Sequence, residues 1–470
     1  MGQTQIKFGT DGWRAIIAKD YTVDNVKRVS EATARWMLQK NMSSVVIGYD
    51  CRFGGFMFSE TAAQVFCNFG IKVYFDKSFA STPMVSLGVV KLNADMGVVI
   101  TASHNPPSYN GFKLKSAYGG PTIPSDIADV EAIIPEDSLG KLPSLETYES
   151  KGLIEYVDLE KMYLDHVESS FDLELIRNSN IKLAYDAMYG AGQNIIRTLF
   201  PSAHLLHCEY NPSFMGQAPE PIHRNLSELS ELLAGSEELN LGLANDGDAD
   251  RIGLYDENGR FVDSHHILLL LLYYLKQYKN YTGKVITTFS VSNKVNKLAD
   301  HYALDLETTK IGFKYIAEIM CTEDVLLGGE ESGGIATKGH INERDGIWMG
   351  LLIMEFMAKT GKSLTQLIQD IYDIVGAFSF DRDDLHIEES KKWAIMDKCA
   401  DGSIDSIGGR PVIRTEDLDG YKFFVSEDEW VMVRPSGTEP VLRVYAHAAS
   451  MENVKELLSQ AHVSLQQGYN

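Results

Sequence analysis

Three aspartates alternate at positions 246, 248 and 250 in the run Asn245-Asp246-Gly247-Asp248-Ala249-Asp250-Arg251. Carboxylates this close repel one another unless a cation lies between them, and their oxygens suit a hard ion such as Mg2+. Apolar runs at 241–244 and 252–255 flank the loop and read as strands. An EF-hand would need glycine at its sixth position, where Arg251 stands, and helices on either side. An exposed acidic turn is the plain alternative, but four charges in six residues between two apolar strands is unusual for one. An ion held here would neutralise a phosphate and polarise it for transfer.

A second stretch, TASHNPPSYNGFKLK at 101–115, places Ser103 and His104 in a loop with two prolines, directly after a strand-like run. A serine hydroxyl is a weak nucleophile unless activated. Stored as phosphoserine, it becomes a phosphoryl donor with a charge near −2. Lys113 could supply positive charge or shuttle a proton. Taken alone, the stretch is equally a polar turn that ends a strand. The Gly-x-Ser-x-Gly elbow of serine hydrolases is absent.

Two further loops suit a phosphorylated sugar. In GGEESGG at 328–334, glycines allow close backbone approach, and Glu330 and Ser332 offer an acceptor and a donor for sugar hydroxyls. In RPSGTEP at 434–440, Arg434, Ser436 and Thr438 around Gly437 can surround a phosphate, with Arg443 on the following strand. A flexible glycine turn and an ordinary β-turn are the alternatives for these two. Weaker signals are Arg14 in FGTDGWR at 8–14, and Lys310 and Lys314 around Gly312 in KIGFK. His265 and His266 begin an apolar run and read as a helix start rather than a metal site.

The formal net charge of −22 argues against general binding to nucleic acid or anionic membrane. Against that background, Arg14, Lys113, Arg251, Lys310, Lys314, Arg434 and Arg443, all in special loops or beside them, point to an anion-binding cleft. The five cysteines, at 51, 67, 208, 321 and 399, lack CxxC spacing and suggest reduced structural thiols with no zinc site. The first residues do not resemble a signal peptide, and the apolar run 267–275 is too short to span a membrane, so it reads as a buried helix. A cytoplasmic protein is expected.

These loops need elements to hold them. Strand-like runs at 45–49, 97–101, 181–185, 241–244 and 284–289 alternate with helical patterns at 56–69 and 194–199, a rhythm of α/β architecture with buried sheets. In such sheets, sites form beyond the carboxyl ends of strands, where both Ser103 and the acidic loop fall. The 470 residues exceed one ordinary core and suggest two to four domains. A linker-like stretch covers 135–150, further breaks fall near 256–259 and 376, and strands at 430–434 and 441–446 precede a final amphipathic helix at 452–465. No internal repeat is detectable.

The TASHNP, DGDADR and RPSGTEP blocks, with the Glu-Glu-Ser loop between the last two, stand in the order found in the α-D-phosphohexomutase superfamily, which the chain resembles from Phe8 to Arg443. The resemblance implies an α/β fold of four domains around a central cleft: three related α/β domains with mixed sheets, expected at 1–150, 151–256 and 257–375, and a smaller α+β domain at 376–470. It implies that Ser103 carries the phosphoryl group. One Mg2+ ion would bind Asp246, Asp248, Asp250 and an oxygen on Ser103. It assigns His104, Lys113, Arg251 and Arg14 to the transferring group, Lys113 being favoured for acid/base work with Arg251 as the alternative. Gly312, Lys314, Glu330 and Ser332 would meet the sugar, and Arg434, Ser436, Gly437, Thr438 and Arg443 the other phosphate.

The implied reaction interconverts hexose 1- and 6-phosphates through a hexose 1,6-bisphosphate, best matched to glucose phosphate. Phosphomannomutase and phosphoglucosamine mutase are alternatives, because Gly334 stands where many dual-specificity bacterial relatives have histidine. The expected partner is a small phosphosugar, and the expected state a monomer or weak homodimer. A magnesium-dependent phosphatase would carry Asp-x-Asp-x-Thr or Val, which is not found here. A noncatalytic phosphosugar-binding protein would not need both the serine and the acidic loop.

Overall fold

The computed structural model describes residues 5–436 and 441–466. The chain forms two compact units, Met1–Lys284 with Gly312–Leu367, and Val285–Ile311 with Ile368–Asn470.

The first unit opens with a seven-stranded sheet. Its strands are β1 (Trp13–Ile16), β2 (Ser44–Tyr49), β3 (Lys72–Phe75), β4 (Met96–Ile100), β5 (Tyr109–Ser116), β6 (Gly120–Pro121) and β7 (Ile154–Tyr156). They lie in the order β1-β5-β4-β2-β3-β7, with β6 on β5. The middle strands β4, β2, β3 and β7 are parallel, whereas β1 and β5 are antiparallel to their neighbours. Every residue of β4 and all but the first of β2 are buried. Parallel strands with helices on both faces must be apolar along their whole length, which is why both read as continuous runs.

Helix Val23–Gln39 turns Val26, Val29, Trp36 and Met37 into this core, and Thr22 caps it by accepting from the Asn25 N–H at 3.3 Å. Such a cap contributes about 1 kcal/mol. Helix Thr82–Lys91 is capped by Ser81, which accepts from the Met84 N–H at 3.2 Å. Because β2, β3 and β4 are parallel, all three deliver their following loops to one edge. These loops carry Asp50 and Arg52, then Thr82, then Ser103.

A second sheet runs β12-β11-β10-β8-β9. Its strands are β8 (Leu183–Asp186), β9 (His204–Leu206), β10 (Leu241–Asn245), β11 (Ile252–Tyr255) and β12 (Phe261–Val262). β8, β9 and β10 are parallel, and β10 and β11 form a hairpin around residues 246–251. The apolar run after it is helix Ser264–Tyr273, capped by Asp263 and continued by a π-helical turn, Tyr274–Tyr278. β13 (Lys284–Thr288) and β14 (Leu306–Thr309) pair in parallel. β15 (Val325–Gly329) and β16 (Ile335–Thr337) form a hairpin around the Glu330–Gly334 loop.

In the second unit, β17 (Ser379–His386), β20 (Arg414–Glu416), β21 (Tyr421–Phe424), β22 (Trp430–Pro435) and β23 (Val441–Ala448) form an antiparallel sheet in the order β17-β23-β22-β21-β20. Two short strands, β18 (Ser406–Ile407) and β19 (Arg410–Pro411), pair separately. Helices Glu389–Ala400 and Met451–Gln466 share an apolar core with the sheet, giving the expected α+β arrangement. Lys422 on β21 is only 5 % exposed, with its ammonium 4.5 Å from the ring centres of both Phe289 and Trp430. Burial pushes its pKa down to about 8.

All five cysteines are free, four buried and Cys321 exposed. No helix among the described residues is long and apolar enough to cross a membrane.

Candidate active site

Ser103 follows β4 in the left-handed backbone region, with φ of 52°. Residues other than glycine rarely adopt it, and such strain gathers at functional sites. The hydroxyl is buried and donates to Asp246 Oδ2 at 2.7 Å, with His104 Nδ1 3.3 Å away. The acidic loop reaches this close because residue 247 is glycine: a Cβ there would stand 2.6 Å from the Ser103 carbonyl oxygen.

Asp246, Asp248 and Asp250 are wholly buried, and each offers an oxygen within 4.8 Å of the others. Asp248 Oδ2 accepts from Lys113 Nζ at 2.8 Å and from the Thr82 hydroxyl at 2.5 Å, and its carbonyl accepts the Thr82 N–H at 3.0 Å. The open first turn of a helix thus ends on the acidic loop. Asp250 Oδ2 meets Lys113 at 3.1 Å and Arg344 at 2.8 Å. The other oxygens, Asp248 Oδ1 and Asp250 Oδ1, are buried with no hydrogen-bond partner. Unsatisfied buried carboxylate oxygens beside a third carboxyl fit a divalent cation of the magnesium type. Burial, then Asp248 and Asp250, hold the Asp246 pKa well above the usual carboxylate range.

Lys113 on β5 is clasped by Asp248, Asp250 and Asp11, the last at 2.7 Å. Burial alone would lower its pKa, but these carboxylates outweigh burial and push it well up. Arg14 donates to Asn105 Oδ1 at 2.8 Å, within the serine loop. Arg251 gives its N–H to Asp246 Oδ1 at 3.1 Å, while its side chain lies 4.0 Å from Asp250 and 3.8 Å from Glu220. Burial, then Arg251, Arg14, Lys113 and Arg52, hold the His104 pKa well below its usual value, so its ring is neutral.

The Glu330–Gly334 loop joins this cluster through its backbone. Gly334 bridges to Arg251, and the Ile252 N–H donates to the Gly333 carbonyl at 3.3 Å. Burial raises the Glu330 pKa to about 7 against the pull of Arg344 and Arg251. Arg344 lies 3.9 Å from Glu330 and passes Gly334 so tightly that a Cβ there would stand 2.5 Å from its Cδ. Ser332 is half-buried in the same loop. Gly312, with φ of 133°, leads into helix Phe313–Met320. Lys314 lines a cavity of about 150 Å3 with Thr10, Asp11 and Gly12.

The first unit therefore gathers Ser103, His104, Lys113, Arg14, Arg251, Glu330 and the three aspartates. Arg434, Ser436 and Arg443 belong to the second unit. There Arg434 and Arg443 face each other across β22 and β23, Arg434 donates to Asp419 at 3.1 Å, and Arg443 lies 3.8 Å from Asp384. Gly437 and Thr438 lie outside the described residues.

Four residues central to the cluster were not singled out from the sequence: Asp11, Arg52, Thr82 and Arg344. Asp11 sits in the same turn as Arg14, and Arg52 follows a parallel strand just as Ser103 does, so both carried a signal. Arg344 bonds to Asp11 from 333 positions away, and Thr82 is one of many threonines at helix starts, so neither did.

The chain matches the phosphoglucomutase/phosphomannomutase family in four blocks. These are α/β/α domain I at residues 5–141, α/β/α domain II at 161–259, α/β/α domain III at 263–375 and the C-terminal domain at 395–461. A phosphoglucosamine mutase of Methanococcus aeolicus is 31% identical, covering 98% of this chain and 99% of that protein. A phosphoglucosamine/phosphogalactosamine mutase of Sulfurisphaera tokodaii is 31% identical over 95% of this chain and 96% of its own length. A Thermus thermophilus structure described as a putative phosphomannomutase superposes with a TM-score of 0.88 at 31% identity, over 99% of this chain and 100% of that one. With four domain matches in order and relatives aligned end to end, the chain belongs to the phosphoglucomutase/phosphomannomutase family of phosphohexomutases.

Proposed function

We propose that this chain interconverts hexose 1-phosphate and hexose 6-phosphate, with Ser103 carrying the phosphoryl group. The observation that carries the reading is the buried Ser103 hydroxyl on Asp246, in a loop whose other two aspartates keep unsatisfied oxygens. Asp246, Asp248, Asp250 and an oxygen on Ser103 would hold one Mg2+ ion. When bound, that ion neutralises phosphate charge and polarises phosphorus.

The residues of the chain supply the rest. In the first transfer, the P–O bond to Ser103 Oγ breaks as a P–O bond forms to a sugar hydroxyl, whose proton ends on the departing Ser103 Oγ. The resulting hexose 1,6-bisphosphate turns over, and its other phosphate returns to Ser103, whose hydroxyl proton ends on the departing sugar oxygen. Lys113, Arg14 and Arg251 stabilise the equatorial oxygens of the moving group, which carry its charge. Lys113, with Arg251 as the alternative, does the acid/base work, and His104 Nδ1 lies 3.3 Å from Ser103 Oγ. Glu330 and Ser332 read sugar hydroxyls in either orientation, and Gly312 and Lys314 meet the sugar as well. Arg434, Ser436, Gly437, Thr438 and Arg443 hold the phosphate that stays.

The Glu-Glu-Ser core favours glucose phosphate. The names of the Methanococcus and Sulfurisphaera relatives favour a second reading, in which the sugar is glucosamine phosphate. Incubation with Mg2+, glucose 1-phosphate and a trace of glucose 1,6-bisphosphate tests the reaction. We expect the isomer without free phosphate, and loss of nearly all turnover in Ser103→Ala. Steady phosphate release, or a near-normal rate in that variant, would sink the proposal. Turnover on glucose, mannose and glucosamine phosphates then ranks the sugars.

A further inference from the structure

Arg52 lies in the turn after β2, and its side chain has no exposed surface. The guanidinium donates to four carbonyls of the serine loop: Ser103 and Asn105 at 2.6 Å, Pro106 at 2.9 Å and Tyr109 at 3.1 Å. Its Nε stands 3.3 Å from Asp50 Oδ2, and the Phe214 ring lies 5.1 Å from its Cζ. Asp50 works on the other side of the serine. It accepts the Thr101 hydroxyl at 2.5 Å, and Thr101 Oγ1 accepts the Ser103 N–H at 2.9 Å. Both backbone polar groups of Ser103 are thus secured from the Asp50-Cys51-Arg52 turn, the carbonyl by Arg52 directly and the N–H by Asp50 through Thr101.

The loop needs such a hold. It belongs to no helix or strand between Thr101 and Ser108, and Pro106 and Pro107 have no N–H to give. Its own backbone bonds are Asn105 N–H to Ala102 and Tyr109 N–H to Pro106, both at 3.0 Å. A left-handed serine persists only where its surroundings over-determine it. The phosphoryl cycle loads and unloads about two negative charges on that serine, and Oγ must return to the same place each time. A guanidinium suits the task because it stays charged and presents five donors in a planar fork. A lysine ammonium, with three donors around one point, cannot span four carbonyls.

We infer that Arg52 is a positioning residue for phosphoryl transfer, fixing Ser103 Oγ through the loop backbone. The inference rests on the reading of Ser103 as the phosphoryl carrier. Displacing a reacting atom by an ångström slows transfer about a hundredfold. Arg52→Ala and Arg52→Lys should therefore lower kcat by about that factor, with KM for hexose 1-phosphate within about twofold, since among the described residues the guanidinium bonds to the serine loop and not to the Glu330 loop. Millimolar guanidinium should restore part of the kcat of Arg52→Ala, whose cavity can admit it, and none of that of Arg52→Lys.

Thr101→Val keeps the side-chain shape but frees the Ser103 N–H. It should also lose kcat rather than KM, and it decides the matter if the Arg52 variants do not fold. A normal kcat in a folded Arg52→Lys or in Thr101→Val would overturn the inference. So would a melting-point loss without guanidinium rescue and without the split between kcat and KM. An active Ser103→Ala would instead remove the carrier reading itself, and intact-mass detection of phosphate on wild-type Ser103 separates the two failures.

Discussion

Replacing a metal ligand usually costs activity and leaves stability untouched or reduced, but Asp246→Asn should make the metal-free protein more stable. Asp246 forms no ion pair among the described residues, while Asp248 and Asp250 share Lys113, and Asp250 also meets Arg344. Two unit charges 4.8 Å apart repel by about 3.5 kcal/mol at an effective dielectric of about 20, and Asp246 faces two such neighbours. Proton uptake caps the penalty, because protonating an ordinary aspartate at pH 7.5 takes about 5 kcal/mol. Against this relief stands the loss of one acceptor. Asp246 takes both the Ser103 hydroxyl and the Arg251 N–H, and an amide presents one carbonyl oxygen, so one donor is stranded at about 1–3 kcal/mol. The net expectation is a gain of up to about 2–4 kcal/mol in EDTA, or several degrees in Tm. Thermal melts in EDTA and in MgCl2 check it. Wild type should gain Tm from Mg2+; Asp246→Asn should start higher and respond little. A variant that melts below wild type in EDTA, or gains as much from Mg2+, would refute the electrostatic reasoning.

Gly334→Ala sets a Cβ 2.5 Å from Arg344 Cδ, so Arg344 must leave Asp250 or Glu330; a loss of about tenfold or more in kcat/KM is expected across glucose, mannose and glucosamine phosphates. Lys422→Met removes a buried ammonium whose folded pKa, about 8, lies below its usual 10.5. Folding then opposes the charged form, so the penalty is complete below pH 8 and fades as pH rises toward 10.5, with wild-type stability climbing across that window. After the lost cation–π contacts are allowed for, the variant should be about 1–3 kcal/mol more stable at pH 7 in denaturant melts, with the advantage shrinking by about pH 10. An advantage that grows with pH would contradict this sign.

The chemistry of the site was more legible than its support. The aspartates stand in a run that few plain turns match, whereas the Ser103 run gains its meaning only beside them; the strands beneath both are largely apolar because both faces are covered. Strand ends shifted by a residue or two, as with the run expected at 181–185, which forms at Leu183–Asp186. Such shifts follow from hydrogen bonding at sheet ends, which composition does not encode. Arg344 was not legible for a different reason. A lone arginine in Asn-Glu-Arg-Asp is an ordinary surface pattern, and only tertiary contact turns it into the partner of Asp11, Asp250 and Glu330. Arg52 lies between these cases: the strand-end rule that flags Ser103 applies to it, but its buried donation to carbonyls has no sequence signature.

The bond between Asp11 and Arg344 also bears on how the protein is made. It joins residues 333 positions apart inside one compact unit, and both ends of that span carry charges the interior cannot tolerate alone. A ribosome releases the N-terminal sheet and the acidic loop well before Arg344 emerges. Until then, Asp11, Asp248 and Asp250 must share Lys113 without the guanidinium that later joins Asp11 and Asp250, and the pocket has reason to stay open to water. Completion of the acidic pocket is thereby tied to synthesis of the chain as far as residue 344, so products that end between Asp250 and Arg344 carry the serine and the aspartates without the closed pocket.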